Sequence, residues 1–239
     1  MFFGDHRRCA GLLAAGFILA IGLFALWPHL DIRVSGLFYD PAAGFWLAAS
    51  PCLERLRMVV WHLSTGMVLF SIIALAASLS GRPLPSIQTR QAAFIFLLYL
   101  LGPLLLVNGI LKSHWGRARP ADIVEFGGTR MFSPPYLPAD QCASNCSFVS
   151  GEGAAAVALA ISLYVLAPSV RRAVPGRVFK LYVALAVIAP SLGIVLRVAA
   201  GRHFLSDTVF AALLVAGIAV LLDWMLPVKK ANGTPDALC

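Results

Sequence analysis

Long apolar runs alternate with short polar ones along the chain. Six stretches are apolar enough to cross a bilayer as helices: about residues 9–27, 58–79, 91–111, 151–167, 178–197 and 206–225. About 20 apolar residues span the hydrocarbon core, and backbone polar groups there must be satisfied within the segment, which makes helices the expected form. The pattern therefore predicts an all-α fold, one polytopic six-helix bundle occupying residues 1–239. The first run resembles a signal peptide, but no small-residue cleavage site follows it, so it reads as an uncleaved first helix. The fourth run is Ala-rich and short, and it must start near Ser150 or Gly151 to span. Residues 28–57 mix Pro28, Pro41 and Pro51 with aromatics, which suits an interfacial loop or a short helix among the headgroups. Residues 81–90 read as a turn, 113–149 as the longest non-apolar segment, and 168–180 as a basic loop. A polar tail ends at Cys239.

Composition sharpens this picture. The chain is 59% hydrophobic and 13% charged, against about 25% charged in soluble domains, so little is left for a separate aqueous domain. A net charge of +8 would suggest nucleic acid in a soluble protein. In a membrane protein it has another cause, loop Lys and Arg that set topology and meet anionic headgroups. Bilayer lipids, not nucleic acid, are the expected surroundings, and no feature of the sequence fixes an oligomeric state.

Six crossings place both termini on one side. That side carries ten Lys and Arg, the other nine. Five of the nine fall in two stretches, Lys112–Pro120 and Arg197–Asp207, where chemistry explains them. Setting these aside leaves ten against four, which predicts cytoplasmic termini and outward-facing stretches. Cys142 and Cys146 fall in the outward loop, where a disulfide is one reading and two unrelated thiols the other. Zinc is not expected, because no paired Cys or His ligands sit nearby at metal spacing.

Three stretches share that outward face. The first is Lys112-Ser-His-Trp-Gly-Arg-Ala-Arg119-Pro120; Lys112 and Arg119, seven apart, point to one target if helical. The second is Cys146-Ser-Phe-Val-Ser150-Gly151-Glu152-Gly153 at the start of the fourth helix, where exposed N–H groups bind anions. The third is Arg197-Val-Ala-Ala-Gly-Arg-His203-Phe-Leu-Ser-Asp207. Here His203 and Asp207 share a face if helical, and the carboxylate fixes the imidazole tautomer so that the other ring nitrogen is a free nucleophile. Three cations, a helix N-terminus and an oriented His make a phosphate site with a nucleophile in it.

Lys112 with Arg119-Pro120, then Ser150-Gly151, then Arg197, His203 and Asp207 resembles the tripartite signature of the type 2 phosphatidic acid phosphatases, the PAP2 superfamily, over roughly residues 90 to 225. The resemblance implies a lipid phosphatase that needs no metal or other cofactor. In it His203 attacks phosphorus to form a phosphohistidine, and Asp207 orients and charges that His. Lys112, Arg119, Arg197, Ser150 and the Gly151 N–H hold the phosphoryl oxygens. Water then hydrolyses the intermediate.

The chain departs from the pattern where the family usually has Pro-Ser-Gly-His. It has Val149-Ser150-Gly151-Glu152, and Leu196 stands where a Ser often precedes the Arg. The missing His serves in the family as acid for the leaving group, so Glu152 is either its substitute or a salt-bridge partner. His114 is a stand-in acid or an interfacial histidine. Arg117, Arg130 and Arg202 bind a second anionic group or contact headgroups. The Glu152 variant is similar to a branch that includes bacterial lipid A phosphatases, which puts lipid A first among substrates. Prenyl pyrophosphate, phosphatidylglycerol phosphate and phosphatidate follow. The segment from Asp122 to Asn145 is expected to shape a headgroup pocket. A lipid phosphotransferase and an inactive lipid-phosphate binder are the competing functions. The implied location is a bacterial inner membrane with the site on its periplasmic face.

Overall fold

The structure, a computed structural model, describes residues 2–226, so Lys229, Lys230 and the polar tail lie outside the described residues. Its helices are α1 (His6–Leu26), α2 (Leu30–Gly36), α3 (Pro51–Leu79), α4 (Thr89–His114), α5 (Gly151–Ala173), α6 (Gly176–Ala199) and α7 (Leu205–Met225). All but α2 are long and apolar enough to cross a membrane, as the hydropathy pattern predicts.

Two boundaries differ from that pattern. Helix α3 begins at Pro51 rather than near Met58. Proline at the first position is pre-set for a helix, and Arg57 pairs with Glu54 three residues back. Charged helical turns of this kind are invisible to hydropathy. Helix α5 does not stop near residue 167 but runs through Pro168 to Ala173. Buried Gln91 of α4 clamps the turn that the proline weakens: its Nε2 donates to the Val165 carbonyl at 2.8 Å, and its Oε1 accepts from Ser169 Oγ at 3.2 Å. Arg171 and Arg172 thus lie in the last turn of α5, where cations oppose the helix dipole.

Helix α5 is the centre of the bundle. Of its apolar window 56% is buried, against 11% for α1 and 17% for α6, so the latter two face lipid. Gly151, Gly153, Ala154, Ala155, Ala156 and Ala158 are all buried. Such small side chains allow close helix approach, and α3, α4, α6 and α7 all pack on α5. Helix α4 changes pitch on its way to the site. Leu100–Leu111 winds as a π-helix around Pro103, and Asn108 Nδ2 donates to the Pro103 carbonyl at 2.7 Å. Wide turns of this kind recur at functional sites. A Cβ on Gly151 would lie 2.8 Å from Asn108 Oδ1, so the first residue of α5 seats against the widened turn.

The two ends of the bundle are built differently. At one end Asp223 of α7 accepts hydrogen bonds from the amides of Phe2 and Phe3, from His6 and from Arg90. This holds the start of the chain beside the end of α7. At the other end, about 30 Å away by the rise of α7, α2 and a hairpin (β1, Tyr39–Asp40; β2, Gly44–Phe45) cover the loops between helices. Phe45 packs there with Ala118, Ile123, Phe126 and Phe204. Two glycines shape these loops: Gly116 and Gly201 have φ of +67° and +65°, and a Cβ would lie 1.6 Å from the Ala139 carbonyl oxygen and 2.4 Å from the Phe45 ring.

Candidate active site

Backbone hydrogen bonds stitch the three motif-bearing stretches into one body. Cys146 N–H donates to the Lys112 carbonyl at 3.2 Å and Ser147 N–H to the Arg117 carbonyl at 2.9 Å. The second stretch reaches the third through Ser150 N–H to the Asp207 carbonyl at 3.2 Å, and Ala121 N–H reaches Gly201 at 3.0 Å. Cys142 and Cys146, left open in the sequence, form a disulfide beside this junction.

His203 is buried in the loop before α7, not on the helix as its spacing to Asp207 suggested. The expected His203–Asp207 pair is present at ion-pair distance, but a backbone carbonyl is the closer partner of the imidazole. Nδ1 lies 2.9 Å from the Ser147 carbonyl oxygen and 3.7 Å from Asp207 Oδ2. A carbonyl only accepts, so Nδ1 carries the proton and Nε2 of the neutral ring keeps its lone pair. Ser147, which the sequence did not single out, sets the tautomer. Asp207 sits in the first turn of α7, with Oδ2 accepting from Phe204 N–H at 2.8 Å and from Ser147 Oγ. It supports the imidazole by proximity of charge.

Burial pushes the His203 imidazole below its ordinary value of 6.5, with Lys112 and Arg197 adding to the shift against Asp207. The expected role of nucleophile requires a neutral His203, so a depressed value keeps that role open as pH falls below 6.5. The acid limb of kcat/KM is expected below 6.5 for two phosphomonoesters of different leaving-group acidity. Titration of substrate would move the limb between the two; titration of His203 would not. A common limb above 6.5 would contradict this geometry.

Cations gather around the imidazole. Lys112 is buried at the end of α4, and the charges of Arg119, Glu152, Asp207 and Arg197 all act on its amine. Among the described residues no carboxylate lies within ion-pair distance of it. Arg119 was expected to lie two helical turns beyond Lys112, but α4 ends at His114 and the Gly116 turn intervenes. Arg119 reaches back instead through Nη2 to the Asn145 carbonyl at 2.7 Å. His114 is exposed and bonds through Nδ1 to the Ile110 carbonyl at 2.8 Å. Ser150 caps α5 by accepting from Gly153 N–H at 3.0 Å, and the Gly151 and Glu152 amides are orphan donors of the first turn. Arg197 Nε lies 3.4 Å from Glu152 Oε2, outside hydrogen-bond geometry, and although buried has no other partner among the described residues. Buried donors are rarely left unpaired, and an anion would satisfy this one.

Glu152 is held between two guanidinium groups, since Arg57 Nη1 lies 3.2 Å from Oε1 on its other side. Arg57 was missed because the helix that carries it begins before the apolar run. A cleft of about 270 Å³ opens here, lined by Glu54, Arg57, Glu152, Arg197 and Arg202 together with Leu47, Leu53 and Leu196. Arg202 is exposed at its rim. Among the described residues none from Asp122 to Asn145 lines this cleft; Ile123 and Phe126 of that segment pack with Phe45 of the hairpin. Arg130 is exposed. Arg117 is neither a headgroup contact nor a second anion site, because it is completely buried. Its Nη1 lies 2.6 Å from Asp207 Oδ1 and its Nη2 2.9 Å from Asp31 Oδ2. Burial pushes the Asp31 carboxyl up, with Arg117 pulling it back.

Residues 92–230 match the PAP2 superfamily. The chain is 32% identical over 195 residues to the lipid A 4′-phosphatase of Francisella tularensis subsp. novicida, covering 80% of this chain and 84% of that protein. It is 31% identical to the protein of the same name from Rhizobium leguminosarum, over 79% of this chain and 84% of the relative. For that from Rhizobium etli the figures are 33%, 81% and 81%. Among solved structures, the transmembrane PAP2 type phosphatidylglycerolphosphate phosphatase from Bacillus subtilis matches with a TM-score of 0.60. The match covers 94% of this chain and 98% of that one at 20% identity, a likeness of fold. The chain belongs to the PAP2 superfamily. It is a membrane lipid phosphate phosphatase, a phosphoric monoester hydrolase.

Proposed function

We propose that the protein removes a phosphate monoester from lipid A at the periplasmic face of a bacterial inner membrane, through a phosphohistidine. The observation that carries the chemistry is the Ser147 carbonyl on His203 Nδ1, which leaves Nε2 as the nucleophile among Lys112, Arg119 and Arg197. Nε2 attacks phosphorus, and the bond to the lipid oxygen breaks with its electron pair going to that oxygen. The cations and the first-turn amides of α5 stabilise charge on the phosphoryl oxygens. Water then attacks phosphorus, the P–N bond breaks, and inorganic phosphate leaves. Lipid A is supported by the names of the three relatives. The periplasmic face is supported by the charge count and by the disulfide beside the site, since disulfides persist in oxidising compartments. Mass spectrometry of envelope lipids from cells with and without the protein tests the substrate. The expected result is loss of one phosphate from lipid A. Unchanged lipid A alongside altered prenyl pyrophosphate or phosphatidylglycerol phosphate would overturn it.

Glu152 stands where the family has its leaving-group acid, and we assign it that role. Glu152→Gln keeps the shape but cannot give up a proton. Its kcat is expected to fall by roughly 10²–10⁴ with KM little changed. If Glu152 only tethers Arg57 and Arg197, the variant instead raises KM and keeps its kcat.

A further inference from the structure

We infer that Asp31, on α2 and outside the segment that matches the family, is a positioning residue for the catalytic His203–Asp207 pair, acting through Arg117. The inference rests on His203 being the nucleophile. Asp31, Arg117 and Asp207 are each completely buried. Asp31 Oδ2 lies 2.9 Å from Arg117 Nη2, and Arg117 Nη1 lies 2.6 Å from Asp207 Oδ1. The guanidinium is fixed further by Nε donating to the Ser133 carbonyl at 2.8 Å and by stacking 4.3 Å from the centre of the Phe204 ring. Asp31 also holds the start of α7, where Oδ1 accepts from Ser206 N–H at 2.9 Å.

Two buried carboxylates therefore share one guanidinium, leaving one net negative charge in the cluster. Burying an anion is costly, and a guanidinium paired with Asp207 alone would need no second carboxylate. The function of the second follows from charge. His203 becomes cationic when it bonds phosphorus, and Asp207 is the anion nearest to it. If Arg117 were paired with Asp207 alone, it would cancel that anion. Asp31 takes up the other side of the guanidinium, so the field of Asp207 remains available to the imidazole. The other charges facing His203 are Lys112 of α4 and Arg197 of α6, both cationic, so the excess anion has no substitute on that side.

The test is Asp31→Asn in purified protein with a phosphomonoester lipid, beside His203→Ala and the double variant D31N/R117Q. Asp31→Asn is expected to keep KM and lower kcat by roughly tenfold to a hundredfold, the scale on which partners behind a reacting group are felt. With one negative charge lost, the His203 proton is held less tightly, and the acid limb of kcat/KM moves to lower pH. D31N/R117Q restores the net negative charge, so its acid limb should return toward wild type and its kcat should exceed that of Asp31→Asn. If Asp31→Asn loses thermal stability while kcat and the pH profile of the folded protein stay unchanged, Asp31 is a structural staple and the inference fails. Failure of both Asp31 variants to fold has the same meaning. Retained activity in His203→Ala would overturn the nucleophile assignment itself, whereas an inactive His203→Ala beside an unperturbed Asp31→Asn overturns only the positioning role.

Discussion

His203→Ala should release inorganic phosphate at least about 10³-fold more slowly than the wild-type protein. Removing a nucleophile from a catalytic group that acts as a unit costs 10³–10⁶ in rate, while the cations and helix N-terminus that remain still bind phosphate. The loss should therefore appear in kcat more than in KM. A rapid quench of wild-type protein with ³²P-labelled lipid should leave label on the protein that acid removes and base does not, and His203→Ala should carry none. Stability needs a separate check, because the side chain is buried and its loss orphans the Ser147 carbonyl oxygen. His203→Gln fills most of the space and should be equally inactive. More than a tenth of wild-type turnover in a well-folded His203→Ala protein would show that phosphorus is attacked by another group.

The largest effect on stability is expected at Arg117. Arg117→Ala leaves Asp31 and Asp207 buried without their shared cation, and stranding one partner of a buried pair costs about 3–5 kcal/mol. In a chain of this size that corresponds to a fall in Tm of roughly 10 °C, measured on detergent-solubilised protein. Arg117→Lys keeps the charge but not the fork that reaches two carboxylates, the Ser206 hydroxyl and the Ser133 carbonyl at once. It should fall between the two. An Arg117→Ala protein as stable as wild type would mean that water reaches the cluster.

The six spanning helices were legible because transfer of apolar side chains into lipid is a local property, summed residue by residue. Lys112, Arg119, Ser150, Gly151, Arg197, His203 and Asp207 were legible as three spaced motifs, and the structure brings those motifs together. What escaped was whatever polar pairing decides, either along charged turns that hydropathy does not count or between neighbours distant in sequence. Helix α3 starts early because Glu54 and Arg57 pair along charged turns, and this places Arg57 against Glu152, 95 residues away. Helix α5 passes Pro168 because Gln91 reaches across from another helix.

The site divides in the same way. The sequence by itself determined which groups are the candidates for the chemistry: an imidazole, a carboxylate, three cations and a helix start. Only the tertiary structure decided how they are wired. The spacing of His203 and Asp207 suggested a direct bond, but the loop path puts the Ser147 carbonyl on Nδ1 and turns Asp207 toward Arg117. It also turns Arg117 from an expected contact for a second anionic group or a headgroup into the buried link to Asp31. The physical reason is that hydrogen-bond partners are chosen by distance and angle at the level of tenths of an ångström. Those are fixed only when α2, the Gly116 and Gly201 turns and the first turn of α7 pack together.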